Sequence, residues 1–116
     1  MPSGHELYHF TSPEISGLFK TAPRTFKSPF FDIISAPKAK ETARLLVATP
    51  RKLGNAPVRN KIRRRLKAIF YEQKMFLRDE DMILIAKKGS LSLPFAQLQE
   101  IFVKAVSTAK ERSLAS

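Results

Sequence analysis

The chain has 116 residues, which suits one domain, and its 43% apolar content is enough to fill a modest single core. Its 21 Lys and Arg outnumber 10 Asp and Glu, so the formal charge is +11 and a polyanion is the expected partner. There is no Cys, which excludes a disulfide framework and a thiolate zinc site; no apolar run approaches the roughly 18 residues of a membrane span, and residues 1–10 lack the apolar stretch of a secretory signal, so a cytoplasmic protein with no membrane partner is expected.

Residues 1–11 are weakly patterned and are expected to be flexible, as is the tail at 111–116. Thr11-Ser12-Pro13-Glu14 reads as a helix start, with a hydroxyl cap and Pro in the first turn. Ile15, Leu18 and Phe19 follow at i, i+3, i+4 and give it one apolar face; Pro23 ends it. Residues 29–36 (PFFDIISA) read as a strand, and 44–49 (RLLVAT) as a buried strand. Pro50, Gly54 and Pro57 make the next connection irregular. Val58, Ile62, Leu66, Ile69 and Phe70 fall close to a 3.6-residue period and predict a helix over 57–76. Residues 82–86 (MILIA) predict another buried strand, and Pro94 starts a last helix with Phe95, Leu98, Phe102 and Ala105 on one face. The order α-β-β-α-β-α predicts a single α+β domain over 1–116, an α/β two-layer sandwich.

Residues 5–9 (HELYH) spell H-E-x-x-H, the zinc-peptidase pattern. That chemistry needs both His on one rigid helical face, a third ligand and an open position for water. A new element starts right after His9, leaving about one turn, where an isolated helix needs about 12–15 residues. No third His exists, and nothing marks Asp32 or Glu41 as the missing ligand. The motif is read as coincidence, and no zinc is expected.

The informative stretch is RKLGNAPVRNKIRRRLK at 51–67, with eight basic residues in 17 positions and no acid. With Ile62, Leu66 and Ile69 pointing inward, Arg59, Arg63 and Lys67 stack at i, i+4, with Asn60 and Arg64 beside them. Like charges so spaced destabilise a helix by a few tenths of a kcal/mol per pair. A row that carries this cost suits phosphates, which the Arg fork binds bidentately. Arg51, Lys52, Arg59, Asn60, Lys61, Arg63, Arg64 and Lys67 are therefore the candidate nucleic-acid-binding residues, and the resemblance described next makes that nucleic acid RNA. Arg65 and Lys74 read as solubilising charges, and Glu72, Asp79, Glu80 and Asp81 as helix-end and loop charges rather than a metal site. Lys104, Lys110 and Arg112 extend a basic tail with no readable target.

The segment KLGNAPVRNKIRRRLKAIF resembles the signature region of the bacterial ribonuclease P protein subunit, a pattern close to K-x-G-x-A-V-x-R-N-x-x-K-R. Lys52, Gly54, Ala56, Arg59, Asn60 and Arg64 match it; Lys61 and Arg63 are basic where the family is usually basic. Pro50, Arg51 and Pro57 depart from the usual Ser, Lys and Val. DMILIAKK (81–88) resembles the family's last strand and LPFAQLQEIF (93–102) its closing helix, so the resemblance covers 13–110. It implies a ribosomal-protein-like domain with a left-handed β-α-β crossover, where the general rule expects a right-handed one. It also implies the role of protein cofactor. The catalytic RNA, using Mg²⁺ that it mainly binds itself, cuts the 5′ leader from precursor tRNA, while the protein binds that RNA through the basic helix and holds the leader in a cleft of sheet and first helix. The implied partners are the ribonuclease P RNA and precursor tRNA, with no protein partner required.

Single-stranded RNA is usually held on stacking platforms in a positive groove. The candidates are Phe19 on the first helix and Phe31 or Phe30 on the first strand. Ile15 and Ile33 stand where the family often has aromatics, which predicts an apolar rather than an aromatic cleft. No paired carboxylates or His-based acid/base pair suggests catalysis by the chain itself, so no catalytic residue is expected. The alternative reading is a general RNA-binding ribosomal or assembly protein with no part in cleavage.

Overall fold

In the computed structural model, the backbone is described for residues 3–115 and the side chains for residues 3–107. Local chemistry fixes the helix starts. Helix α1 (Gly4–Tyr8) is capped by Ser3, whose side chain accepts from the Glu6 N–H. Helix α2 (Ser12–Thr21) opens on a capping box: Thr11 Oγ1 accepts from the Glu14 N–H at 3.3 Å, and Glu14 Oε1 accepts from the Thr11 N–H at 3.0 Å. It stops two residues before Pro23. Strands β1 (Arg24–Phe26), β2 (Phe31–Pro37) and β3 (Leu45–Ala48) follow.

A short 3₁₀ turn at Arg51–Leu53 then leads to helix α3 (Ala56–Glu72), capped by Asn55, which accepts from the Val58 N–H at 3.2 Å. Between them Gly54 has φ 147°, a conformation L-residues avoid, and a Cβ there would lie 3.2 Å from the Val58 side chain. Helix α3 ends four residues before the predicted 76. Lys74 takes a left-handed φ of 51°, which turns Met75 and Phe76 into the core. Strand β4 (Glu80–Ala86) and helix α4 (Phe95–Ala115) complete the chain.

The sheet order is β1-β2-β4-β3; β2 runs antiparallel to both β1 and β4, and β3 is parallel to β4. A parallel pair needs a crossover, and α3 supplies it. Period-2 alternation splits the sheet residues between two faces. Phe31, Ile33, Leu45, Val47, Met82, Leu84 and Ala86 join one core cluster with Ile62, Leu66, Ile69 and Phe70 of α3 and Leu98, Phe102 and Ala105 of α4. The expected α+β architecture is present, with the predicted elements within a few residues of their predicted ends. Two elements are additional: the short edge strand β1 and helix α1.

Helix α1 gives the described part of the segment expected to be loose, residues 3–11, an anchor in the fold. Leu7 is fully buried in the core cluster, the Tyr8 hydroxyl donates to the Lys67 carbonyl at 3.1 Å, and Phe10 is buried. The segment has too few apolar residues to show a period, yet it has an anchor. The tail expected to be loose at 111–116 lies outside the described side chains, as do Lys110 and Arg112.

The second sheet face carries α2. It is fastened by Arg44, just before β3, whose side chain is 4% exposed. Arg44 Nη2 donates to Glu14 Oε2 at 2.7 Å and to Asp81 Oδ2 at 2.8 Å, while Nη1 donates to the His9 carbonyl at 3.0 Å. The Phe10 ring covers the guanidinium at 4.2 Å. Asp81, read above as a loop charge, is thus a buried strand residue. Burial opposes the charge on Arg44, but the two carboxylates outweigh it and raise its pKa. The hydrogen bond from Arg44 lowers the Glu14 carboxyl from 4.5 to about 2.

A depressed carboxylate stabilises the fold above its unfolded pKa, and that contribution fades as pH falls toward the folded value. Stability is therefore expected to drop as pH falls from about 4.5 to about 2. Glu14→Gln should lower stability at neutral pH and flatten that drop, a difference that urea melts across this window measure directly.

Candidate nucleic-acid interface

Helix α3 turns Ile62, Leu66, Ile69 and Phe70 inward, which leaves its basic residues on the remaining arc. Asn60, Lys61 and Arg64 are exposed; Arg59, Arg63 and Lys67 are half-buried along the flank. Arg51 and Lys52 are exposed on the 3₁₀ turn before the helix. Arg63 is pre-oriented: it donates to Thr49 Oγ1 at 2.8 Å and also to the Asn60 carboxamide oxygen. The Lys67 ammonium lies 5.0 Å from the Tyr8 ring centroid. Arg59 Nε is shielded and has no hydrogen-bond partner among the described residues. All eight predicted residues thus lie on one helix or on the turn that enters it, and none of them forms an ion pair with an acid among the described residues. Arg65, read as a solubilising charge, instead donates to the Leu93 carbonyl at 3.1 Å and ties α3 to the segment before α4.

The expected cleft residues divide. Ile15 is half-buried and Phe19 is 47% exposed on α2, over the second sheet face. Phe31 and Ile33 are fully buried on the opposite face, with the Phe31 ring edge-on to Phe102 at 5.9 Å. They are core, and their assignment to the cleft is corrected. A one-residue shift exchanges the faces of a strand, so the β2 residues facing α2 are Asp32 and Ile34. Phe30, half-buried just before β2, packs against the main core. Register places Ile34 beside Ile83 and Leu46, and Asp32 beside Ile85 and Ala48. These rows form an apolar floor that sequence reasoning misses; the available signal is the run FFDII, in which both parities are apolar and only Asp32 marks a face.

The motif HELYH spans α1 and the extended His9 that caps its C-terminus, and the His5 and His9 rings stack at 4.6 Å. Among the described residues no group of three or more His, Asp or Glu is placed to hold a metal ion. No described helix is long and apolar enough to cross a membrane.

A four-stranded mixed sheet, with α3 and α4 on one face and α2 on the other, and a basic helix inside its β-α-β unit, acid-free up to its last residue, Glu72, define a small α+β protein with one strongly cationic helix. The family described as Ribonuclease P matches residues 5–110. Among curated relatives, the "Ribonuclease P protein component" of Erythrobacter litoralis is 32% identical over 85 residues, 72% of this chain and 70% of that one. The protein of the same name from Streptococcus agalactiae is 33% identical over 79 residues, 68% of this chain and 72% of that one. Solved structures share the fold. An RNase P protein mutant from Staphylococcus aureus superposes with TM-score 0.81 at 23% identity, covering 90% of this chain and 89% of that one. The RNase P protein from Thermotoga maritima does so with TM-score 0.74 at 20% identity, covering 84% and 92%. The chain belongs to the ribonuclease P protein family.

Proposed function

We propose that this chain is the protein cofactor of a bacterial ribonuclease P, active in the cytoplasm. It binds the catalytic RNA through α3 and the 5′ leader of precursor tRNA over the second sheet face. The observation that carries this reading is the acid-free row on α3, with Arg63 already locked in place by Thr49 and Asn60. A fixed guanidinium loses less freedom on meeting a phosphate. The chemistry is assigned to the RNA and its Mg²⁺. This chain's contribution is to screen phosphate repulsion between the two RNAs and to position the leader. Leu46 and Ile85, half-buried on the sheet face that carries α2, offer an apolar bed and Phe19 a stacking surface, which suits unpaired bases.

Precursor-tRNA cleavage by a bacterial ribonuclease P RNA at low magnesium, with and without the protein, tests the reading. Strong acceleration with correct 5′ ends is expected. Binding to a cognate RNA without acceleration would instead favour a general RNA-binding role.

A further inference from the structure

The row on the flank of α3 does not stop at Lys67. Arg59, Arg63 and Lys67 follow one another at i, i+4, and the next position in that series is Tyr71, which is 39% exposed. Among the described residues three large apolar or aromatic side chains stay exposed. Phe19 belongs to α2, whereas Tyr71 and Leu77 both belong to the end of α3 and the turn at Met75–Leu77 that follows it. Helices α2 and α3 lie on opposite faces of the sheet, so this patch is separate from the surface that carries Phe19.

The patch is built to hold Tyr71 in place. Helix α3 ends at Glu72, and Lys74, at φ 51°, is the one non-glycine residue with a positive φ among the described residues. That turn folds Phe76 back into the core, where its ring meets the Tyr71 ring at 5.7 Å between centroids and 34° between planes. Tyr8 of α1 supports the same stretch of helix. Its hydroxyl donates to the Lys67 carbonyl at 3.1 Å, its ring lies 6.1 Å from that of Phe70, and the Lys67 ammonium lies 5.0 Å from its centroid. Burial, and after it the nearby Tyr71, raise the Tyr8 pKa, so Tyr8 keeps the proton it donates. Tyr71 is thus backed by a buried ring and still open to solvent, one helical turn beyond the Lys67 ammonium.

The surrounding charge decides what the patch fits. Lys67, Lys74 and Arg78 form no ion pair with an acid among the described residues, and Glu72 lies about 100° round the helix from Tyr71. An aromatic ring among unpaired cations, continuous with a phosphate-binding row, suits a nucleobase still joined to its phosphates better than it suits an apolar protein face. We propose that Tyr71 is a stacking platform for one unpaired base of the catalytic RNA. This rests on the function proposed above and adds a contact to a base, where the basic row offers contacts to phosphates alone. In a folded RNA only loops, bulges and ends leave a base free to stack, so the platform recognises one irregular point of that RNA.

The affinity of the protein for a cognate ribonuclease P RNA, measured across a salt series, tests the platform. Tyr71→Ala should weaken binding by about ten-fold and Tyr71→Leu by nearly as much, whereas Tyr71→Phe, which keeps the ring, should bind within about two-fold of the unmodified protein. The salt slope should stay the same in all three, because no phosphate contact is lost, while Lys67→Ala should lower it by about 0.7–0.9. The chain has no Trp, so Tyr71→Trp carries a sole indole, and its fluorescence should be quenched when the RNA is added. Unchanged affinity in Tyr71→Ala, or an equal loss in Tyr71→Phe, overturns the stacking role. If Tyr71→Ala does not fold, as judged by its melt, the Leu and Phe variants and the quench decide. Normal binding to the catalytic RNA with a lost preference for precursor over mature tRNA gives the base to the substrate and overturns the assignment. A change confined to self-association overturns it in favour of a second copy of the chain. Failure of the underlying function is distinct, because the unmodified protein would then not accelerate cleavage.

Discussion

Replacing Arg59 and Arg64 together with alanine is expected to weaken binding to the catalytic RNA by about a hundred-fold while leaving the fold intact. Each residue projects from the acid-free row of α3 and makes no ion pair within the described chain. A charged hydrogen bond removed at each costs about 1.5 kcal/mol or more, and the two together compound to about two decades in affinity. The fold should tolerate the change. Arg64 is exposed and Arg59 half-buried, and their removal relieves like-charge repulsion along the helix. Stability should therefore move by no more than about 0.5 kcal/mol. The salt dependence adds an independent check, since the logarithmic slope falls by about 0.7–0.9 for every phosphate the protein no longer neutralises. Filter binding to the RNA across a salt series, alongside a thermal melt, measures both. A double variant that binds normally would remove these two residues from the interface and leave the flank of Arg63 and Lys67 to account for it.

The elements that can be read from the sequence are those whose signal is local. Thr11 with Glu14 announces α2, and the 3.6-residue spacing of Val58, Ile62, Leu66 and Ile69 announces α3 and assigns its buried face. The basic row is legible for the same reason: once the apolar stripe is placed, the charges have one arc left. Strand parity is not. In Phe31-Asp32-Ile33-Ile34 both faces are apolar, because one packs on α3 and α4 and the other lies under α2. Nothing local shows which is which, so motif position assigns Phe31 and Ile33 to the face that Asp32 and Ile34 occupy. Long-range pairings are equally hidden. Arg44 reads as one more cation at a strand start, and only the tertiary fold brings it to Glu14, 30 residues before it, and to Asp81, 37 after it. The anchoring of α1 depends on Leu7 and Phe10, two apolar residues too few to make a pattern.

Arg44→Met is expected to cost about 3–5 kcal/mol, because it keeps the side-chain bulk but leaves Asp81 buried without its cation. The Asp81 side chain is 3% exposed, so water cannot replace the lost charge cheaply. Its remaining partners are the N–H groups of Arg44 at 2.9 Å and Ala39 at 3.4 Å. A loss of that size is a large share of the roughly 5–15 kcal/mol that holds a domain together. Adding Asp81→Leu should recover much of it, since an apolar replacement for a buried pair is often neutral or better, whereas half a pair is not. Urea denaturation of the single and double variants measures the difference; a cost below about 1 kcal/mol for Arg44→Met would mean that the buried carboxylate is satisfied without Arg44. The consequence reaches the proposed site. Arg44 grips the His9 carbonyl, the Phe10 ring and Glu14, so it holds both α1 and the start of α2 against the sheet. Helix α2 carries Ile15 and Phe19 over the apolar floor. The Arg44→Met protein should therefore lose preference for precursor over mature tRNA under conditions where it is still folded, although Arg44 itself is enclosed and touches no RNA.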